Sequence, residues 1–237
     1  MGLGPTAGPM YIPVGTRTER GTAALRYELG GDHTYTFVEG VVAHSKAPGI
    51  ENLATSDELC FAYYEPHCAE SFHKAVADLE RYLATDGPFD GVVAFSQGSS
   101  LATAILVDKS RMQRSGLRCG IFLSGRLPFV DAGSPGSPGR YVHTGESAPP
   151  GGSTDQRIDI PTAHIWGAKD EVEPGQGLAL SMLCRREQRH EHVHGGGHEV
   201  PSARDKEDLV ESANTIRRML AQLRGPSLLQ DSTPMDR

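Results

Sequence analysis

The segment RHEHVHGGGHEVP, residues 189–201, carries His190, His192, His194 and His198. The first three alternate with other residues, so on an extended strand they point to one face, as metal ligands must. His198 stands apart, beyond a run of glycines. Which of these imidazoles does chemistry depends on what else in the chain requires one. Ser96, in GVVAFSQGSS, lies between an apolar run ending at Phe95 and a helix candidate opening near Gly98. This is the G-x-S-x-G context with Ala94 at the first small position. A tight strand-to-helix turn there lifts the hydroxyl above a sheet and aims the backbone N–H of Gln97 into the site. Small residues at 94 and 98 let strand and helix approach closely. On the pentapeptide alone, a serine that merely caps a helix is an equal reading.

A serine hydroxyl is a poor nucleophile at neutral pH and needs an imidazole to take its proton; the imidazole in turn needs a carboxylate to fix its tautomer. Where the serine sits on such a turn, the partners follow in the order acid, then histidine. Asp170, in WGAKDEV, follows the apolar segment AHIWG, and His198 follows RHEHVH and its glycines. Both then sit beyond the carboxyl ends of strands, where parallel sheets build their sites. Asp155 and Asp159 precede their strand and fit the role less well. One working histidine, His198, is the preferred account. His190, His192 and His194 read as a polar edge strand, with a zinc site as the rival that neither a Cys pair nor an HExxH helix supports.

The elements that must hold these groups are legible as alternating buried strands and amphipathic helices. Near-continuous apolar runs at 89–95, 119–125 and 160–167 read as strands buried on both faces, and YTFVEG, residues 35–40, as a further strand. Residues 71–83 place Phe72, Val76, Leu79 and Leu83 at helical spacing, and residues 203–223 do the same with Leu209, Ala213, Ile216, Leu220 and Leu223. Strands alternating with helices predict an α/β fold whose mostly parallel sheet is covered on both sides. Residues 131–155, rich in Pro, Gly and Ser, and the tail at 225–237 break the rhythm and read as a mobile insertion and a disordered end.

Composition narrows the function classes. The 237 residues suit one α/β domain, and the formal charge of −7, without a basic stripe, argues against nucleic acid as a partner. Apolar runs such as LATAILV fall far short of the roughly 20 residues that span a bilayer. The N-terminus lacks the basic and apolar regions of a secretory signal. Cys60, Cys68, Cys119 and Cys184 show no CxxC spacing, and Cys60 and Cys119 sit in apolar runs, so buried thiols in a reducing cytoplasm are expected.

The segments TAALRYELGGDHTYTFVEG, PFDGVVAFSQGSSLA, FLSGRLPF, IPTAHIWGAKDEVEPGQ and GGGHEVP together resemble the fungal serine hydrolase family, over roughly residues 22–223. Within it the chain is similar to the branch that accompanies polyketide synthases. The resemblance implies an α/β-hydrolase fold, a twisted, mostly parallel sheet with helices on both faces. It implies Ser96 as nucleophile, Asp170 as orienting acid and His198 as base, with no metal or organic cofactor and a cytoplasmic setting. The implied substrate is an acyl thioester on the carrier protein of a polyketide synthase. A small ester turned over by a general short-chain carboxylesterase, or a catalytically impaired hydrolase-like binding protein, are the alternatives. The family opens with a strand and a loop resembling LHGxGTN before QTAALR, and that loop gives the second oxyanion donor. Here MYIPVGTRTERGTAALR has no HG pair and Gly21 stands for the Gln. Residues 1–21 are therefore an atypical opening with a degraded first strand, ahead of a hydrolase domain at 22–224. The backbone N–H of Gln97 gives one oxyanion donor, and the second must come from near Gly15.

Overall fold

A computed structural model describes residues 10–12, 19, 21–44, 60–130, 140–141 and 158–223. In chain order its elements are β1 (Met10–Ile12), α1 (Ala23–Leu29), β2 (Val42–His44), β3 (Cys60–Ala62), α2 (Ala69–Asp86), β4 (Gly91–Phe95), α3 (Gln97–Leu106) and α4 (Lys109–Ser115). There follow β5 (Cys119–Leu123), β6 (Phe129–Val130), β7 (Arg140–Tyr141), β8 (Thr162–Gly167), α5 (Gln176–Ser181), β9 (Arg189–His194) and α6 (Lys206–Leu223). Five strands form one sheet in the order β1-β4-β5-β8-β9, and every neighbouring pair is parallel.

The period-2 alternation of the central strands sorts their side chains onto two cores. Val92 and Ala94 of β4 and Phe122 of β5 face one side, where they meet Phe72, Val76, Leu79 and Leu83 of α2, Leu101 and Ile105 of α3 and Leu180 of α5. Val93 of β4, Ile121 and Leu123 of β5 and Ala163 and Ile165 of β8 face the other, against Leu25 of α1 and Leu209, Ala213, Ile216 and Met219 of α6. Burial on both faces is why β4 and β5 read as unbroken apolar runs. The expected helical stripes are the buried ones: all four named residues of α2 and the first three of α6 are buried, with Leu220 and Leu223 packed at the margin.

Residues 35–40 do not form a strand; apart from a single bridge at Phe37 they are irregular. Their alternation instead puts Tyr35 and Phe37 beneath the Arg26 guanidinium, 5.6 and 5.1 Å from the ring centroids, against the α1/α6 core. The packing face was legible; that the segment stays irregular was not. The first strand, expected to be degraded, is represented among the described residues by β1 (Met10–Ile12), parallel to β4 in register Met10↔Val92, and the residues on either side of it lie outside them. Of the 131–155 insertion only Arg140–Tyr141 lies among the described residues, paired antiparallel with Phe129–Val130, and the 225–237 tail lies outside them. Among the described residues no helix is long and apolar enough to cross a membrane. Cys68, Cys119 and Cys184 are free thiols, and burial pushes both Cys119 and Cys184 up to about 12.

One core residue carries a pH dependence. His164 on β8 is fully buried, stacked on Phe122 at 5.1 Å, and neither ring nitrogen has a hydrogen-bond partner. Burial, reinforced by the nearby Arg189 charge, holds the imidazole down at about 3 against an ordinary 6.5. The unfolded chain therefore takes up a proton near pH 6.5 that the folded chain refuses until about pH 3, so stability is lost as pH falls through that window. Between pH 7 and pH 5 the loss is about 2 kcal/mol, since each unit of pH well below the unfolded value costs about 1.36 kcal/mol. His164→Leu should remove this part of the slope, which urea midpoints at pH 7 and pH 5 would register. An unchanged slope would show that His164 is solvated.

Candidate active site

Ser96 occupies the turn between β4 and α3 with φ 47° and ψ −116°, a left-handed conformation that a side-chain-bearing residue adopts only when its surroundings impose it. They do so here through hydrogen bonds. The Ser96 N–H donates to the Leu123 carbonyl at 3.1 Å, and the Ser96 carbonyl accepts from both the N–H and the hydroxyl of Ser99. Ala94 and Gly98 on either side are buried. The Gln97 side chain is not in the site: its Oε1 accepts from Tyr63 N–H at 2.8 Å and its Nε2 donates to the Tyr64 carbonyl at 2.9 Å. Gln97 is thus fixed at both ends of its amide. Its backbone N–H, the first of α3, has no carbonyl a turn earlier in the helix to bond.

The two other expected residues arrive from neighbouring strands. Asp170 lies three residues past the end of β8 and His198 four past the end of β9. His198 Nε2 stands 2.8 Å from Ser96 Oγ, and His198 Nδ1 stands 2.7 Å from Asp170 Oδ2. The second carboxylate oxygen of Asp170 accepts from the N–H groups of Val172 at 3.1 Å and Glu173 at 2.9 Å. Only 10% of the His198 side chain and 8% of the Asp170 side chain is exposed. The Phe95 ring lies 5.3 Å from the imidazole and walls it on one side. An imidazole held between a hydroxyl and a carboxylate can take the hydroxyl proton while the carboxylate keeps the other ring N–H in place.

The loops that carry Asp170 and His198 are built against each other. Ala168 N–H donates to the His194 carbonyl at 2.8 Å and Lys169 N–H to the Gly196 carbonyl at 3.0 Å. A Cβ on Gly167 would collide with the carbonyl oxygens of Gly196 and Gly197, so glycine there is a condition of the contact. Beyond His198, the Ser124 hydroxyl donates to the Glu199 carbonyl at 3.1 Å.

The remaining candidates fall elsewhere. β9 is the sheet edge, as the polar pattern of RHEHVH suggests. His192 Nε2 lies 3.1 Å from Asp208 Oδ1, and His194, pushed down by burial, accepts from Gly196 N–H at 3.2 Å. Among the described residues no cluster of His, Cys, Asp and Glu could hold a metal ion. Asp159 is paired with Arg185 ahead of β8, and Asp155 lies outside the described residues. So do Val14–Thr16, where the second oxyanion donor was expected near Gly15.

A family profile described as serine hydrolase (FSH1) matches residues 14–210. The chain belongs to this serine hydrolase family. It is 36% identical over 185 residues to Esterase FPY3 of Fusarium mangiferae, covering 77% of this chain and 81% of that protein. To Hydrolase phiM of a fungal species it is 28% identical over 188 residues, covering 74% and 78%. Among solved structures, a Bacillus cereus carboxylesterase superposes with a TM-score of 0.51 at 11% identity, over 90% of this chain and 91% of that one. At that identity the likeness bears on the fold alone, and it agrees with the α/β-hydrolase fold of this serine hydrolase.

Sequence reading missed the polar residues that support the site. The sequence points to Gln97 for its peptide alone, and the support from Tyr64, Ser99, Ser124, Arg126 and Glu173 emerges only in the fold. A buried arginine in FLSGRLPF, directly after an apolar strand, was the one signal available, since arginine is almost never buried without a partner.

Proposed function

We propose that this serine hydrolase cleaves an ester or thioester through an acyl-enzyme formed on Ser96. The Ser96–His198–Asp170 hydrogen-bond chain supports this reading. Ser96 Oγ attacks the acyl carbonyl as its proton passes to His198 Nε2, and Asp170 stabilises the imidazolium. His198 then protonates the leaving oxygen or sulfur. Water, deprotonated by the same imidazole, hydrolyses the acyl-enzyme and frees the acid. The N–H of Gln97 is the oxyanion donor that the turn supplies. No metal or organic cofactor has a role in these steps.

The finer reading is a thioesterase that releases a polyketide acyl chain from the carrier protein of its synthase. It rests on the motif resemblance. The relative named as an esterase supports the broader alternative, a short-chain carboxylesterase. Turnover of acyl groups presented on a carrier protein, compared with the same acyl groups as p-nitrophenyl esters, separates the two. The thioesterase reading expects kcat/KM at least about 10-fold higher on the carrier-bound acyl group, roughly 1.4 kcal/mol of differential transition-state binding. Equal or lower values on the carrier would leave the carboxylesterase. Absence of labelling by a fluorophosphonate probe would leave only a hydrolase-like binding protein.

A further inference from the structure

β5 lies between β4, which presents Ser96, and β8, which presents Asp170. The chain leaving β5 therefore passes between the two loops that have to be kept in register. Arg126 sits there, with a side chain 11% exposed. Its guanidinium reaches three separate parts of the site. Nε donates to Ser100 Oγ on α3 at 3.2 Å, Nη2 donates to Tyr64 Oη at 2.9 Å, and Nη1 is ion-paired with Glu173 Oε1. Its backbone is also tied to α3: the Arg126 N–H donates to Ser99 Oγ at 2.8 Å, and the same Ser99 hydroxyl donates to the Ser96 carbonyl.

Each contact leads one step further into the site. Glu173 N–H is one of the two peptide donors to Asp170 Oδ1, and the Glu173 side chain is 16% exposed, held by Arg126. Tyr64 gives its carbonyl to Gln97 Nε2, and Gln97 carries the oxyanion N–H of the proposed reaction. We infer that Arg126 is a positioning residue, a clamp whose ion pair with Glu173 keeps the Asp170 loop in register with the Ser96 turn. It touches no reacting atom and acts through the peptide donors of Asp170. A planar guanidinium with donors fanned in fixed directions can hold three oxygens from three elements at once, which a lysine ammonium on a flexible stem cannot.

For the rate effect the inference rests on the proposed triad; for the loop it does not, and the test keeps the two apart. Removing Arg126 alone would leave the partly buried Glu173 carboxylate without the guanidinium opposite it, which is destabilising in its own right. The double variant R126M/E173M removes both charges in favour of apolar side chains of similar length, an exchange that is often neutral for stability. Its amide exchange, melting temperature and p-nitrophenyl ester kinetics would be measured against wild type. The clamp predicts that the Val172 and Glu173 amides exchange at least about 10-fold faster in a folded variant. It also predicts that kcat falls on the order of 10² while KM stays within about threefold, as for a small misplacement of a reacting group. In the Asp170→Asn background the same pair of changes should cost nothing further in kcat, because the route to the imidazole is already cut.

Unchanged amide exchange in the folded double variant would overturn the clamp. Faster exchange with unchanged kcat would overturn its role in positioning, and a rate loss that persists in full in the Asp170→Asn background would assign the effect to general loosening. Should the variant not fold, E173Q alone carries the test, since it removes one charge, keeps a hydrogen-bonding oxygen opposite Arg126 and is read by the same exchange and kinetic criteria. If the wild-type chain neither turns over esters nor takes a fluorophosphonate label, the triad reading fails while the exchange measurement still decides the clamp.

Discussion

Ser96→Ala should abolish turnover and fluorophosphonate labelling while leaving a folded protein. The expected loss in kcat is on the order of 10⁶, the scale seen when the nucleophile of such a relay is removed and only binding and oxyanion stabilisation remain. The fold should tolerate the change because the turn does not depend on the hydroxyl. Its bonds run through the Ser96 N–H to Leu123 and through the Ser96 carbonyl to Ser99, and both survive in alanine. The left-handed φ of 47° is as available to alanine as to serine, so backbone strain is unaltered to first order. What is lost is one hydrogen bond to His198 Nε2, worth about 1 kcal/mol. Melting temperature, active-site labelling and ester kinetics on the same preparation decide the matter. A labelled or active Ser96→Ala protein would remove Ser96 from the chemistry altogether.

That such a mutation can be designed from the sequence reflects what local patterns encode. The burial of Phe72, Val76, Leu79 and Leu83 follows from spacing on one helix, and the buried strands β4, β5 and β8 follow from unbroken apolar runs. The positions of Asp170 and His198 follow from a rule about where chain leaves a parallel sheet, which needs only the strand ends. The strand order was not legible, because apolar runs do not say which neighbours they pair with. Residues 35–40 show the same limit: their alternation correctly implied a packed face, but not that the segment would stay irregular and set Tyr35 and Phe37 against the Arg26 guanidinium. The Arg126 cluster is the extreme case. Its partners Tyr64 and Glu173 lie 62 and 47 positions away along the chain, so only the folded sheet brings the polar atoms together.

Asp170→Asn tests the acid, and here the geometry dictates the outcome more tightly than the substitution suggests. Oδ1 of Asp170 accepts two peptide N–H groups, from Val172 and Glu173, whereas Oδ2 faces His198 Nδ1. An asparagine in this place must turn its carbonyl oxygen to the two peptide donors, since an NH₂ group there would meet two N–H groups head on. Its NH₂ then faces Nδ1 and can only donate, so Nδ1 loses its proton and the imidazole carries its hydrogen on Nε2. That nitrogen is the one 2.8 Å from Ser96 Oγ, and once protonated it cannot accept the serine's proton. Turnover should therefore fall by about 10⁴, the cost of holding the imidazole in the wrong tautomer. The loop should remain intact because both peptide donors keep their acceptor. The rate of fluorophosphonate labelling should fall with kcat, since both need an activated Ser96. Asp159→Asn provides the contrast: that carboxylate is paired with Arg185 ahead of β8, away from the strand ends where the site is built, and its loss should leave kcat near wild type. Near-wild-type turnover in Asp170→Asn, alone or together with a collapse in Asp159→Asn, would mean that the imidazole is oriented by a carboxylate other than the one it is bonded to in this fold.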